Sequence, residues 1–242
     1  MKYVRFEYKG LSGEGILKEG YIYPADKEPV ALKDVVLLCP VSPTKIVAVG
    51  LNYIDHAKEL RMDIPKEPLI FIKPVSSIIG PEEAIRYPSA SNRVDYEAEL
   101  AIVIKKKAHK ISADQADEYI LGYTCLNDVT ARDIQKRDIQ WTRAKSFDTF
   151  CPIGPHIKTD LDMSSLKIEL ILNGRIKQSS NTKNMIFDCR KLVEFITSVM
   201  TLEEGDVIAT GTPAGVGPLK TGDSVEVRIE KIGSLINNVT ND

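Results

Sequence analysis

The segment Asp95–Ile104, "DYEAELAIVI", constrains the fold of this chain more than any other. Its first half places Asp95, Glu97 and Glu99 at every second position. In a strand these side chains share a face, successive carboxylates about 6.5 to 7 Å apart. The continuation "AIVI" is apolar at every position, the pattern of a strand covered on both faces. A half-solvated strand accounts for the acids alone, but not for the unbroken apolar run after Glu99. Carboxylates carried into such surroundings need a cation, a proton or a metal ion. The segment therefore demands both a layered interior and a source of positive charge.

The rest of the chain reads as α+β, mostly β. "KYVRFEY", "GEGILKEGYIYP" and "VALKDVVLLCPVSP" are short strands separated by glycine and proline. Two prolines near Pro43 suggest a boundary, with a small N-terminal β domain over 1–43 and a larger domain over 44–242. "KIVAVGLNYIDHAKEL" reads as a buried strand, a break, and a helix that Asn52 could cap. Ser112 is placed to cap another helix. The pair Asn173-Gly174 lies between two alternating runs, as in a hairpin with a type I′ turn. Leu192, Val193, Phe195, Ile196 and Val199 form a helical stripe. The pattern is not a βαβ array. "GTPAGVG" lacks the Gly-Lys-Ser/Thr of a phosphate-binding loop.

A formal charge of −2 gives no bulk attraction to nucleic acid or to an anionic membrane. No stretch approaches the roughly 20 apolar residues of a spanning helix, and the polar start does not resemble a signal peptide. The four cysteines are scattered without a Cys-x-x-Cys pair, as expected for reduced thiols in a cytoplasmic protein.

A third carboxylate, Asp128, comes after the apolar run "YILGYTCL", where a core strand would end. With Glu97 and Glu99 it makes an oxygen-rich set suited to Mg²⁺, Mn²⁺ or Ca²⁺. Zinc fits less well, because the chain has three histidines and no His-Glu-x-x-His. His56 and Glu59 stand three apart on the expected helix, so the carboxylate can orient the ring; a plain surface ion pair is the alternative. Lys145, in "AKSFDTFCP", and Lys73, in "FIKP", are cations among apolar neighbours. His109 reads as a solvated turn residue, and His156 as either core or surface.

In order along the chain, "VGLNYIDHAKEL", "PLIFIKPVSSIIG", "VDYEAELAIVI", "GYTCLNDVTARDIQ", "WTRAKSFDTFCPIGP", "LNGRIKQSSNT" and "TLEEGDVIATGTPAGVGP" resemble the fumarylacetoacetate hydrolase family. The resemblance implies a mixed β-roll catalytic domain, a homodimer, and Mg²⁺ or Mn²⁺ held by Glu97, Glu99 and Asp128, with Asp95 supporting or on the surface. It implies catalytic roles for His56, Glu59 and Lys145, with His56 and Glu59 on a lid helix. It also implies substrate contacts from Lys73, Arg132, Gln135 and Thr212. The expected substrate is a small 2-oxo acid. The expected reaction is hydrolysis of a carbon–carbon bond in an acylpyruvate-type acid, or alternatively isomerisation, tautomerisation or decarboxylation of 2-oxo dicarboxylic acids.

Overall fold

The computed structural model describes residues 1–242. Its main sheet runs in the order Val30–Ala31, Tyr21–Tyr23, Leu11–Lys18, Lys2–Tyr8, Cys151–Lys158, Ile120–Asn127, Ala98–Ile104, Val207–Ala209, Ile46–Val49, Ile70–Lys73. A second sheet has the order Arg175–Asn181, Lys167–Leu172, Ser224–Ile229, Gly233–Asn241, Ala84–Tyr87. A short ribbon joins Thr130–Ala131, Val94–Tyr96 and Gly217–Pro218. Most pairings are antiparallel; Val207–Ala209 beside Ile46–Val49 is a parallel exception.

The apolar run after Glu99 is central and covered on both faces. Leu100, Ile102 and Ile104 enter the large core, with Ile168 and Leu170, Val225 and Val227 from the second sheet. Ala101 and Val103 enter a separate cluster with Ile46, Ala48, Leu126 and Ile153. At roughly 25 cal/mol per Å² of apolar surface withdrawn from water, this two-sided burial is the main stabiliser of the strand Ala98–Ile104. That strand carries Glu99 alone: the continuous strand expected from Asp95 breaks at Glu97, and Val94–Tyr96 pairs in the short ribbon instead. The N-terminal strands pack around Val4, Phe6 and Ile22 and join the main sheet where Tyr3 pairs with Ile157.

The local signals are realised with two amendments. Asn173 and Gly174 turn the hairpin with φ of 51° and 75°, the left-handed pair a type I′ turn requires. Ser112 begins a 3₁₀ segment, and its N–H and hydroxyl both donate to Gln115 Oε1. The helix Cys189–Val199 buries Leu192, Val193 and Ile196, but Val199 is 58% exposed because the helix ends there, beyond the core. Asn52 does not cap the helix Ile54–Leu60; Tyr53 occupies that position. Asn52 is instead fully buried: it accepts from Phe187 N–H and donates to the Phe187 and Thr210 carbonyls. Buried backbone groups need hydrogen-bond partners, so the amide serves these rather than its own helix. No helix is long and apolar enough to cross a membrane.

Candidate active site

The register of one hairpin brings the distant carboxylates together. Ala98 pairs with Asn127 and Glu99 with Leu126 across the Ala98–Ile104 and Ile120–Asn127 strands. Just past this ladder the Asp128 N–H donates to the Glu97 carbonyl, and the Glu97 N–H donates to Asn127 Oδ1. Glu97, Glu99 and Asp128 consequently converge, with one oxygen from each lying within 4.8 Å of the others. All three are buried.

Positive charge surrounds two of the three. Lys145 Nζ lies 2.9 Å from Glu97 Oε2 and 2.6 Å from Asp128 Oδ2. Lys73 Nζ lies 2.6 Å from Asp128 Oδ1 and donates to the Lys145 carbonyl at 2.6 Å. Arg132 binds Glu97 and, at 2.8 Å, Asp95. Burial alone would raise the Glu97 carboxyl, but Lys145 and Arg132 hold it down to about 2. Burial opposes the Lys145 charge, and Asp128 and Glu97 outweigh it, so the ammonium is held more firmly than usual.

Glu99 is different. Its only donor is the Gly211 N–H at 2.8 Å, and no cation forms an ion pair with it, although the nearby Lys145 charge offsets part of its cost. Burial, together with the negative charges of Asp128 and Glu97, pushes its carboxyl well above the usual range. Of the four buried carboxylates, Asp95 is paired by Arg93 and Arg132, Glu97 by Arg132 and Lys145, and Asp128 by Lys73 and Lys145, while Glu99 forms no ion pair. A hard dication fits this donor set: three convergent carboxylates, one of them without a countercharge.

The cluster forms the floor of a cleft of about 500 Å³. His56 and Glu59, on the Ile54–Leu60 helix, stand over it, with His56 Nδ1 2.9 Å from Glu59 Oε2. Apolar side chains line the same cleft: Leu60 and Met62 at the end of that helix, with Leu69, Phe71 and Trp141. Phe71 and Trp141 meet edge to face at 5.4 Å, and Lys145 Nζ lies 5.1 Å from the Phe71 ring centre. Such a cleft offers negative charge for a cation, a buried ammonium for an anion, and an imidazole for a proton. A larger cleft of about 940 Å³ lies beside the N-terminus. Three of its acids already have partners: Asp117 in Arg190, Asp160 in the N-terminal amine, and Asp188 in the helix it caps.

Eight of the ten residues singled out from the sequence line the smaller cleft: His56, Glu59, Glu97, Glu99, Arg132, Gln135, Lys145 and Thr212. Asp128 lies just beneath it and completes the carboxylate set. Lys73 departs from the expectation of a substrate contact. It is wholly buried behind the cluster, its ammonium taken by Asp128 and the Lys145 carbonyl. A desolvated ammonium needs such partners, and meeting them turns it away from the cavity. The Thr212 hydroxyl is likewise engaged, donating to the Ala98 carbonyl and accepting from Gln178. Sequence reasoning missed Gln178, Phe71 and Trp141. The aromatic pair had a signal, two large rings flanking the two lysine segments; Gln178 had none, being one polar residue in a polar run. Asp95 is buried as a support for Arg132 and Arg93.

The family profile described as "Fumarylacetoacetate (FAA) hydrolase C-terminal" matches residues 45–240. An uncharacterized protein of Methanocaldococcus jannaschii is 65% identical over 199 residues, 82% of this chain and 84% of that one. Human mitochondrial oxaloacetate tautomerase FAHD2A is 45% identical over 219 residues, 85% of this chain and 70% of that one. The crystal structure of 5-carboxymethyl-2-hydroxymuconate delta-isomerase from Mycobacterium smegmatis superposes with a TM-score of 0.95 at 43% identity, covering 100% of this chain and 99% of that one. A carboxylate-floored cleft with an imidazole above it, in a mostly β framework matched along nearly its whole length, places this chain in the fumarylacetoacetate hydrolase family.

Proposed function

We propose that the chain is a dication-dependent enzyme that moves a proton on a small 2-oxo acid, as an isomerase or tautomerase. The observation that carries the reading is Glu99, a buried carboxylate beside two others with no cation of its own. Glu97, Glu99 and Asp128 would hold Mg²⁺ or Mn²⁺, which when bound supplies Lewis-acid stabilisation of negative charge on the 2-oxo oxygen. The chain's own groups do the rest. Lys145 adds positive charge at the same end of the cleft, where one well-placed donor is worth roughly 3 to 4 kcal/mol. Arg132 and Gln135, hydrogen-bonded to each other at 2.6 Å, orient the acid's carboxylate end. Glu59 holds His56 by Nδ1, leaving Nε2 to take a proton from the carbon next to the 2-oxo group and return it elsewhere. The apolar wall excludes water from that exchange. The activities named for the tautomerase and isomerase relatives fit this assignment.

The same His56–Glu59 pair supports a second reading. If a water enters between His56 and a distal carbonyl, the imidazole deprotonates it and the site cleaves an acylpyruvate-type carbon–carbon bond. A panel of oxaloacetate enol, acylpyruvates and an unsaturated 2-hydroxy diacid, run with Mg²⁺ and with EDTA, separates the readings. Metal-dependent ketonisation or isomerisation without chain cleavage supports the first. Faster release of pyruvate from acylpyruvates supports the second. Turnover unaffected by EDTA contradicts both.

A further inference from the structure

The strand Arg175–Asn181 is exposed along most of its length, yet Gln178 is only 1% exposed. Its amide is saturated from both ends. Oε1 accepts from the Ala98 N–H at 2.9 Å; Nε2 donates to Thr212 Oγ1 at 2.9 Å and to the Pro213 carbonyl at 2.8 Å. Ala98 is the residue between Glu97 and Glu99. Its strand pairs with Ile120–Asn127 on one side, but on the other Val207–Ala209 reaches only Ala101–Val103. Beyond that point side chains take the place of a strand: Gln178 holds the Ala98 N–H, and Thr212 the Ala98 carbonyl.

The other end of the Gln178 amide controls a different part of the site. Pro213 opens the turn that leads to Gly215, whose N–H donates to both Glu59 oxygens at 3.1 and 3.2 Å. Glu59 in turn holds His56. The turn rests on the same strand: a Cβ on Gly215, at φ +98°, would sit 2.4 Å from the Lys177 carbonyl, so only glycine permits this approach. The strand grips the helix again where Ser180 Oγ donates to Asp55.

We infer that Gln178 is a positioning residue that sets the carboxylate pair and the His56–Glu59 pair in one frame. One side chain fixes the backbone between two proposed metal ligands and, through Pro213 and Gly215, the carboxylate that orients the imidazole. The part concerning the metal rests on the function proposed above; the part concerning the turn stands on its own.

Two substitutions separate the arms. Gln178→Met keeps the volume and loses every hydrogen bond. Gln178→Glu keeps the acceptor for Ala98 and loses the donors to Thr212 and Pro213. Mn²⁺ affinity is measured by titration, and amide hydrogen exchange of residues 214–216 by mass spectrometry. Gln178→Met is expected to weaken Mn²⁺ about tenfold or more, the usual consequence of losing a group that orients ligands. Both variants are expected to accelerate exchange at residues 214–216, while Gln178→Glu keeps or tightens Mn²⁺ binding. That division is not what a general loss of stability produces. Exchange and Mn²⁺ affinity within twofold of wild type in folded Gln178→Met would overturn the inference, as would equal weakening of Mn²⁺ in both variants. If Gln178→Met does not fold, unchanged exchange in Gln178→Glu overturns it. Wild-type protein that binds no Mn²⁺ counts against the proposed function, and the exchange result still decides the role of Gln178.

Discussion

Asp206 and Glu99 are both buried carboxylates at strand ends in the same sheet, and their surroundings are opposite. Asp206 accepts five hydrogen bonds, from the Thr44 N–H and hydroxyl, the Lys45 N–H and ammonium, and the Glu203 N–H. Burial would raise its carboxyl, but the Lys45 and backbone donors hold it below the usual aspartate range. Glu99 accepts one bond and faces two further carboxylates. The first arrangement is closed: both oxygens are held by donors, and the group fastens the Thr44–Lys45 crossing to the strand beginning at Val207. The second is open: Glu99 has one donor and no ion pair, and it lines the cleft beside Glu97. On the proposed function, a buried carboxyl marks the site only where its partners are incomplete and its neighbours converge.

The largest effect should come from the open group. Glu99→Gln, and likewise Asp128→Asn in the same carboxylate set, is expected to lower Mg²⁺-dependent turnover by about 1,000-fold or more, since on the proposed function losing either ligand would remove the Lewis acid. Glu99→Gln should leave the apparent Tm of the metal-free protein equal or higher, since it removes a buried carboxyl whose charged form burial and the two neighbouring carboxylates disfavour. A large fall in Tm for Glu99→Gln would mean that Glu99 is closed like Asp206. Next, Lys145→Met should lower kcat by about 100- to 1,000-fold, the range for removing one charge-stabilising donor. Steady-state kinetics at saturating Mg²⁺ checks this, and a change confined to KM would place Lys145 in ground-state binding alone.

Asp206→Asn should show the reverse pattern: a loss of about 3 kcal/mol in unfolding free energy, with Mn²⁺ affinity unchanged. Its folded pKa is depressed, so its contribution is full above the unfolded value near 3.9 and is lost as pH falls through the lower folded value. Urea melts of wild type and Asp206→Asn should accordingly converge in acid. Curves that stay parallel down to about pH 2 would contradict this assignment.

His156 supplies a smaller test of whether incomplete partners alone imply function. It is buried at 4% exposure with Nε2 unpartnered, and it stands apart from the carboxylate cluster. Burial, then Lys2, pushes its ring down to about 4. The folded state prefers the neutral ring, so the contribution to stability is full above about 6.5 and falls as pH drops to about 4, by roughly 3 kcal/mol at most. His156→Phe should flatten the stability profile across that window and leave turnover unchanged. An altered turnover rate would blur the distinction between the two kinds of buried group.

Much of this contrast is legible in the amino-acid order alone. The apolar run Leu100–Ile104 announces a strand buried on both faces. The single strand expected from Asp95 onward nevertheless breaks at Glu97, because Val94–Tyr96 pairs in the short ribbon and only Ala98–Ile104 joins the main sheet. The Glu97–Glu99 spacing flags the acidic pair, although the chain leaves the strand at Glu97, and Asn173-Gly174 names its own turn. Pattern alone does not supply the register that sets Asp128 against Glu97, a matter of pairing between strands. The same holds for Asn52 and Lys73. Each carries a local cue, a cap position or a strand end, and each is redirected by a buried partner from elsewhere in the chain. Gln178 is the extreme case, with its meaning lying entirely in Ala98, Thr212 and Pro213.

Titration of the metal-free protein with Mn²⁺, monitored by calorimetry or electron paramagnetic resonance, tests the central claim most directly. One Mn²⁺ per chain is expected for wild type and Asp206→Asn, with binding lost in Glu99→Gln. No binding to wild type, or binding that survives Glu99→Gln unchanged, would contradict it.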